Sequence, residues 1–194
     1  MKKFFVIVLL FVSIFMLVSC GEKTDGERLI AQYEQEEKDG NLHYMVYGCN
    51  HRYWEDRKLY LIKTGEDTYI QMYENVDGTT IEFFYFGNNI TEKVHQLQLH
   101  CYYFISPGET EKSKTIYLSQ DQCPCFYVWQ GDGADMGWQS TYDYFGWDIE
   151  NGELQEFHSG ITYNLYDAIQ AASKRAIENG IEYLNSKGLG DILG

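Results

Sequence analysis

The short links between successive alternating segments constrain this chain more than any other feature of its sequence. From residue 42 to residue 157 apolar and polar residues alternate in short runs, which are separated by turn sequences such as Asn75-Val76-Asp77-Gly78 and Asn151-Gly152. Alternation with a period of two is typical of a strand with one face in a core. Because links this short cannot carry a crossover, successive strands are expected to pair antiparallel.

We therefore predict an α+β domain on an antiparallel β-meander of about seven to nine strands, with a short N-terminal helix and a longer C-terminal helix. A sheet of that size tends to curl or split, so the meander is expected to be curved or partly closed. The predicted strands are residues 42–47, 58–63, 68–74, 79–86, 94–105, 114–119, 125–130, 139–145 and 154–157.

The clearest alternation lies in residues 96–105. One set of positions is Leu97, Leu99, Cys101, Tyr103 and Ile105, and the other is Gln96, Gln98, His100, Tyr102 and Phe104. Alternate side chains on a strand point to opposite faces, so the first set, including Cys101, is expected to face the core.

Two segments have helical patterns. Thr24 and Glu27 have the spacing of a capping box, which predicts a helix over residues 26–38 with Gly40 as its stop. A second helix is predicted over residues 163–186, where Gly180 could end or bend it. The apolar stripe of this second helix is Leu165, Ile169, Ala172, Ala176 and Leu184.

The N-terminus has the layout of a secretory signal. Lys2 and Lys3 precede an apolar run over residues 4–18, and a polar segment follows Cys20. A spanning helix needs about 20 apolar residues, so this run favours export over a membrane span.

The end of the run, Leu17-Val18-Ser19-Cys20-Gly21, resembles the lipobox of bacterial lipoproteins. The resemblance implies that a diacylglyceryl group is attached to the Cys20 thiol and that cleavage occurs between Ser19 and Cys20. It also implies a membrane-anchored protein of the bacterial cell envelope, at the periplasmic face or the cell surface. The alternative is an ordinary signal peptide in which Cys20 occurs by chance.

The expected organisation is a signal peptide (residues 1–19), a short lipidated tether (20–25) and a single globular domain (26–194). Cleavage removes Lys2 and Lys3 and changes the net charge from −14 to −16. A chain this acidic lacks the net positive charge that is typical of nucleic-acid-binding domains. It would also be repelled by anionic lipids, so its expected contact with the membrane is the lipid at Cys20.

The cysteines allow two hypotheses. In an oxidising compartment an even number of cysteines favours disulfides, and the candidates are Cys49, Cys101, Cys123 and Cys125. The alternative is a metal or redox site, since thiolates and imidazoles bind zinc and copper(I). Its candidate ligands are Cys49, His51, His100, Cys101, Cys123 and Cys125, with Asp132 and Asp135 of a glycine-rich loop as candidates for calcium.

No catalytic motif occurs: the chain has neither Gly-x-Ser-x-Gly nor His-Glu-x-x-His. No catalytic residue and no cofactor are therefore predicted. The first hypothesis is a non-enzymatic binding or interaction domain that recognises an envelope protein, a glycan or a small ligand through aromatic and acidic surface. The alternative is an envelope metal-binding, redox or hydrolytic protein that uses the Cys and His side chains.

Overall fold

Two helices pack on one face of an antiparallel sheet in the computed structural model of this chain. The structure describes residues 22–47, 57–88, 96–106, 115–118, 126–129, 144–158 and 163–194. Helix α1 is Asp25–Lys38, helix α2 is Tyr163–Ser186, and a 3-10 helix, Gly190–Leu193, follows α2. The predicted α+β class, with an antiparallel sheet and a helix near each chain end, is confirmed.

The sheet begins as a simple meander. Strands β1 to β5 pair in chain order, β5 then pairs with both β6 and β7, and the ladder continues from β6 to β8 and β9. Among the described residues β1 and β9 lie at the two ends of this ladder and do not pair with each other, so the expectation of partial closure is not met. The strands are β1 Leu42–Tyr47, β2 Arg57–Lys63, β3 Thr68–Asn75, β4 Gly78–Asn88, β5 Gln96–Ile105, β6 Thr115–Leu118, β7 Phe126–Trp129, β8 Tyr144–Asp148 and β9 Glu153–His158.

The first five strands agree with the prediction to within two residues at each end. Residues 139–143 of the predicted strand 139–145 lie outside the described part of the chain, and β8 continues to Asp148, three residues beyond the predicted end. The hairpin between β3 and β4 follows its turn sequence: Asn75 Oδ1 accepts a hydrogen bond from the Asp77 N–H at 3.1 Å. Gly78 has a φ of +150°, and a Cβ there would lie 2.3 Å from the Ile105 carbonyl oxygen, which only glycine tolerates.

The hydrophobic core lies between the helices and the sheet. As predicted from the alternation of β5, Leu97, Leu99, Cys101 and Tyr103 belong to it, and Ile105 packs at its margin. Helix α2 contributes the predicted Ile169, Ala172, Ala176 and Leu184, whereas the side chain of Leu165 lies outside the described residues.

A capping box starts α1, and a glycine lets α2 pack closely on the sheet. Glu27 N–H donates to Thr24 Oγ1 at 3.2 Å and Thr24 N–H donates to Glu27 Oε2 at 2.8 Å, so the predicted capping box is present. Gly180 does not end α2, which continues to Ser186. A Cβ at Gly180 would lie 2.3 Å from Cδ1 of Phe83, so glycine allows the helix to approach the sheet closely.

Candidate functional site

Four polar side chains form a cluster on the second face of the sheet, opposite the helices. Cross-strand pairing aligns Glu82 of β4 with Tyr102 of β5, and Phe84 with His100. Residues that pair directly share a face, so Glu82, His100 and Tyr102 lie together, with Tyr73 of β3 on the same side. Glu82 and His100 are each only 5% exposed. Because isolated buried charges are costly, such groups have to satisfy one another.

The four side chains lie in one series of close polar contacts, called here the polar cluster. The Tyr73 hydroxyl donates to Glu82 Oε1 at 2.5 Å. Glu82 Oε2 lies 3.3 Å from His100 Nε2, and the Tyr102 hydroxyl bonds to His100 Nδ1. A carboxylate, an imidazole and a phenol therefore follow one another in space.

This order of atoms favours one tautomer of the neutral His100 ring, with its proton on Nε2. Glu82 accepts a hydrogen bond from Tyr73, and its other oxygen lies 3.3 Å from His100 Nε2; a proton on Nε2 leaves Nδ1 to accept from the Tyr102 O–H. His100 is then placed to take the Tyr102 proton, and Glu82 would stabilise the imidazolium that forms. The polar cluster is thus able to carry general acid–base chemistry.

Aromatic rings flank the polar cluster. The fully buried ring of Phe84 lies 4.1 Å, centroid to centroid, from the His100 ring, and Phe86 stacks on Phe84 at 5.9 Å. The row continues through Tyr69 to His43 at the edge of the sheet. Rings that exclude water lower the local dielectric, which strengthens the electrostatic interaction between Glu82 and His100.

The structure separates two of the predicted metal ligands. His100 lies in the polar cluster, whereas Cys101, the next residue of β5, is fully buried in the core against the helices. Adjacent strand residues point to opposite faces, so these two side chains cannot bind one ion together. Among the described residues no three His, Cys, Asp or Glu side chains converge as a metal site.

The other predicted site residues lie outside the described part of the chain. This applies to the lipidation and cleavage residues and to most of the disulfide and metal candidates. They are Ser19, Cys20, Cys49, His51, Cys123, Cys125, Asp132 and Asp135.

Two exposed tyrosines form a pair at the edge of the sheet. Tyr44 of β1 pairs directly with Tyr60 of β2, and their ring centroids are 5.3 Å apart. The side chains are 49% and 54% exposed. Helix α1 adjoins them, because the Tyr33 hydroxyl donates to the Tyr60 carbonyl oxygen at 2.9 Å. Burial raises the pKa of the Tyr33 hydroxyl; a hydrogen bond with Gln71 acts against this shift, and the negative charge of Glu37 adds to it.

An acidic groove of about 530 Å³ lies on another side of α1. It runs between the N-terminal half of this helix and the adjoining ends of β3, β4 and β5. Its carboxylates are Asp25, Glu27, Glu34 and Glu74.

A buried carboxylate that the sequence pattern did not reveal joins the two helices. Glu36 of α1 is 3% exposed and accepts hydrogen bonds from Tyr183 and Asn41 at 2.9 and 2.7 Å. Lys187 Nζ lies 2.7 Å from Glu36 Oε1. Glu36 and Tyr183 are 147 residues apart, so no local pattern could have paired them. Helical spacing from Leu29 and Tyr33 would at most have placed Glu36 on the packed face.

No protein-family model matches this chain, and no curated protein or solved structure matches it significantly. Within the described residues no helix is long and apolar enough to cross a membrane.

Proposed function

We propose that this protein is a lipid-anchored component of the bacterial cell envelope whose single mature domain binds a partner through aromatic and acidic surface. The partner class comprises an envelope protein, a glycan or a small ligand. Helix α1 begins with the capping box at Thr24, four residues after Cys20. At no more than ~3.6 Å per residue, that tether reaches roughly 15 Å, so the domain would stay close to the bilayer.

The exposed Tyr44–Tyr60 pair is the observation that carries the binding part of this proposal. Tyrosine offers large, stiff contact area with a polar end, and it is enriched in recognition surfaces. The two rings lie beside the acidic helix α1, whose Glu34 and Glu37 are exposed. The acidic groove adds further carboxylates to the same helix. This combination favours recognition over chemistry at this surface.

For the whole domain we infer an antiparallel sheet of about seven to nine strands that is strongly curved. The short strands β6 to β9 support this number, because each of them pairs antiparallel with a neighbour. A strongly twisted sheet of this size tends to curl.

Membrane fractionation tests the anchor. Wild-type protein is expected to be found in the membrane fraction. It is also expected to incorporate radiolabelled palmitate when it is expressed in its bacterial host. The variant C20S should lose the label, because it lacks the thiolate that the lipid modifies. S19A keeps a small residue before the cut and is the matched control. Equal labelling of wild-type protein and C20S would refute lipidation at Cys20.

Crosslinking in intact envelopes tests the binding surface. Wild-type protein and the double variant Y44A/Y60A are compared for captured envelope components, with V76S as a control at an exposed apolar residue of the β3–β4 hairpin. We expect captured components that depend on the two tyrosines and persist in V76S. An unchanged set in Y44A/Y60A would exclude this surface.

The polar cluster favours a second function, hydrolysis. Glu82, His100 and Tyr102 place a carboxylate, a base and a hydroxyl in the order that activates a nucleophile. Full-length protein would be assayed for hydrolysis of p-nitrophenyl esters, with H100Q and Y102F as test variants and Y69F as a matched control on the same face. No hydrolysis by wild-type protein, or equal rates in Y102F, rejects this candidate.

A further inference from the structure

A polar cavity of about 220 Å³ lies between the first half of α2 and the end of β4, away from the polar cluster and the tyrosine pair. On the α2 side, Ala168, Ala171 and Ala172 line it, and such short side chains leave space between helix and sheet. Asp67 adjoins the other side, where its carbonyl oxygen accepts a hydrogen bond from the Phe86 N–H at 2.8 Å.

Tyr85 supplies this cavity with a hydrogen-bonding group. The residue is only 3% exposed, it lines the cavity, and within the described part of the chain its hydroxyl makes no hydrogen bond. Burial raises the pKa of Tyr85; the charge of Arg175 acts against this shift and that of Asp67 adds to it. The hydroxyl is therefore a donor at neutral pH. A hydroxyl that the described part of the chain does not engage is available to donate to a ligand or to water in the cavity.

Arg175 of α2 supplies a positive charge at the same place. Its guanidinium carbon lies 5.7 Å from the centre of the Tyr85 ring, and its NH1 atom is 3.6 Å from Asp67 Oδ2. A guanidinium has five N–H donors, and within the described residues Arg175 makes no hydrogen bond. It is thus able to hold a carboxylate in addition to its contact with Asp67.

We propose that this cavity binds a small zwitterion of amino-acid size, with the ligand's carboxylate on Arg175 and Tyr85 and its ammonium on Asp67. The opposite charges of the site lie 3.6 Å apart, so a complementary ligand needs its own charges close together, as on the α-carbon of an amino acid. The volume corresponds to about seven waters at ~30 Å³ each. It is below the roughly 300 Å³ at which pockets for drug-sized ligands begin. This binding requires neither the lipid anchor nor the exposed Tyr44–Tyr60 pair.

Calorimetric titration of the full-length protein in detergent tests the ligand class. The probes are L-alanine, propionate, which lacks the ammonium, and isopropylamine, which lacks the carboxylate. L-alanine is expected to bind at millimolar concentration, and each of the other two at least tenfold more weakly. Failure of L-alanine to bind, or equal binding of propionate, overturns the proposal.

Three variants tie the binding to this cavity. R175Q should weaken the binding of L-alanine at least tenfold. K174Q removes the same charge from the preceding residue of α2 and should leave the affinity for L-alanine unchanged. Y85F keeps the ring and removes the donor, so a several-fold loss is expected. A171L should obstruct the cavity while keeping a strong helix former. Equal affinity in R175Q and wild-type protein would place the bound amino acid elsewhere and overturn the assignment.

Discussion

Tyr183 of α2 donates a hydrogen bond of 2.9 Å to Glu36 of α1 and so joins the two helices. Lys187, just after α2, places its Nζ atom 2.7 Å from the same carboxylate oxygen. Asn41, just before β1, donates to the other oxygen at 2.7 Å. Both oxygens of this carboxylate, which is 3% exposed, thus face donors, and a buried charge stabilises a fold only when it is satisfied in this way.

The first prediction concerns the pH dependence of stability. Burial alone would raise the pKa of Glu36, but hydrogen bonds from Lys187, Asn41 and Tyr183 lower it from 4.5 to about 2. Because the pKa of Glu36 is lower in the folded state, its ionised carboxylate stabilises the fold at pH values above the pKa of the unfolded chain. This contribution is lost as pH falls from about 4.5 to about 2. Urea unfolding of E36Q at neutral pH should show about 2 kcal/mol less stability than wild-type protein.

E37Q is the matched control, because Glu37 is the neighbouring residue and is exposed. Between pH 5 and pH 2 the stability of E37Q should fall as in wild-type protein, whereas the curve for E36Q should be flatter. Parallel curves for the two variants would contradict the role assigned to Glu36.

The second prediction concerns Gly180. Alanine is the better helix former by about 1 kcal/mol, so propensity alone predicts that G180A is stabilising. A Cβ at this position would instead lie 2.3 Å from the buried ring of Phe83. We expect the clash to dominate and G180A to lose about 1 to 3 kcal/mol in thermal or urea unfolding. F83L should make room, so G180A should cost less in the F83L background; an equal cost in both backgrounds would argue against this contact.

The sheet could be predicted because its signals are local. Alternation in residues 96–105 identified the core face of β5, turn residues identified the β3–β4 hairpin, and Thr24 with Glu27 identified the start of α1. Gly180 was harder to interpret, because a glycine in a helix pattern looks the same whether it ends the helix or packs against a ring. Only the contact with Phe83 decides between the two.

The polar cluster could not be predicted for a similar reason. Alternation placed His100 on the face away from the core, but the burial of that face depends on contacts made elsewhere in the chain. The partner Glu82 follows only from the pairing of β4 with β5. A usable signal was present in the sequence, since Glu82 interrupts the otherwise apolar and aromatic run 81–86. A charge inside such a strand is uncommon and indicates a partner.

The third prediction concerns the C-terminal 3-10 helix. Ile192 is fully buried in the core, whereas Asp191 pairs with Arg28 through two 2.8 Å contacts at the surface. I192A should cost about 2 to 4 kcal/mol through the cavity it leaves. D191N should cost at most about 1 kcal/mol, because exposed ion pairs contribute little. Urea unfolding of both variants tests this ranking, and a larger loss in D191N would reverse it.

The last prediction concerns the coupling between Glu82 and His100. Their side chains are 3.3 Å apart and nearly fully buried, so replacing one should remove the carboxylate–imidazole contact that the other makes. We expect E82Q and H100Q each to lose about 2 kcal/mol in urea unfolding, and the double variant to lose at least about 1 kcal/mol less than their sum. Y69F, on the same face but outside the polar cluster, should be additive with E82Q. Additive losses for E82Q and H100Q would mean that the two groups are buried independently, which would remove the basis for acid–base chemistry at this site.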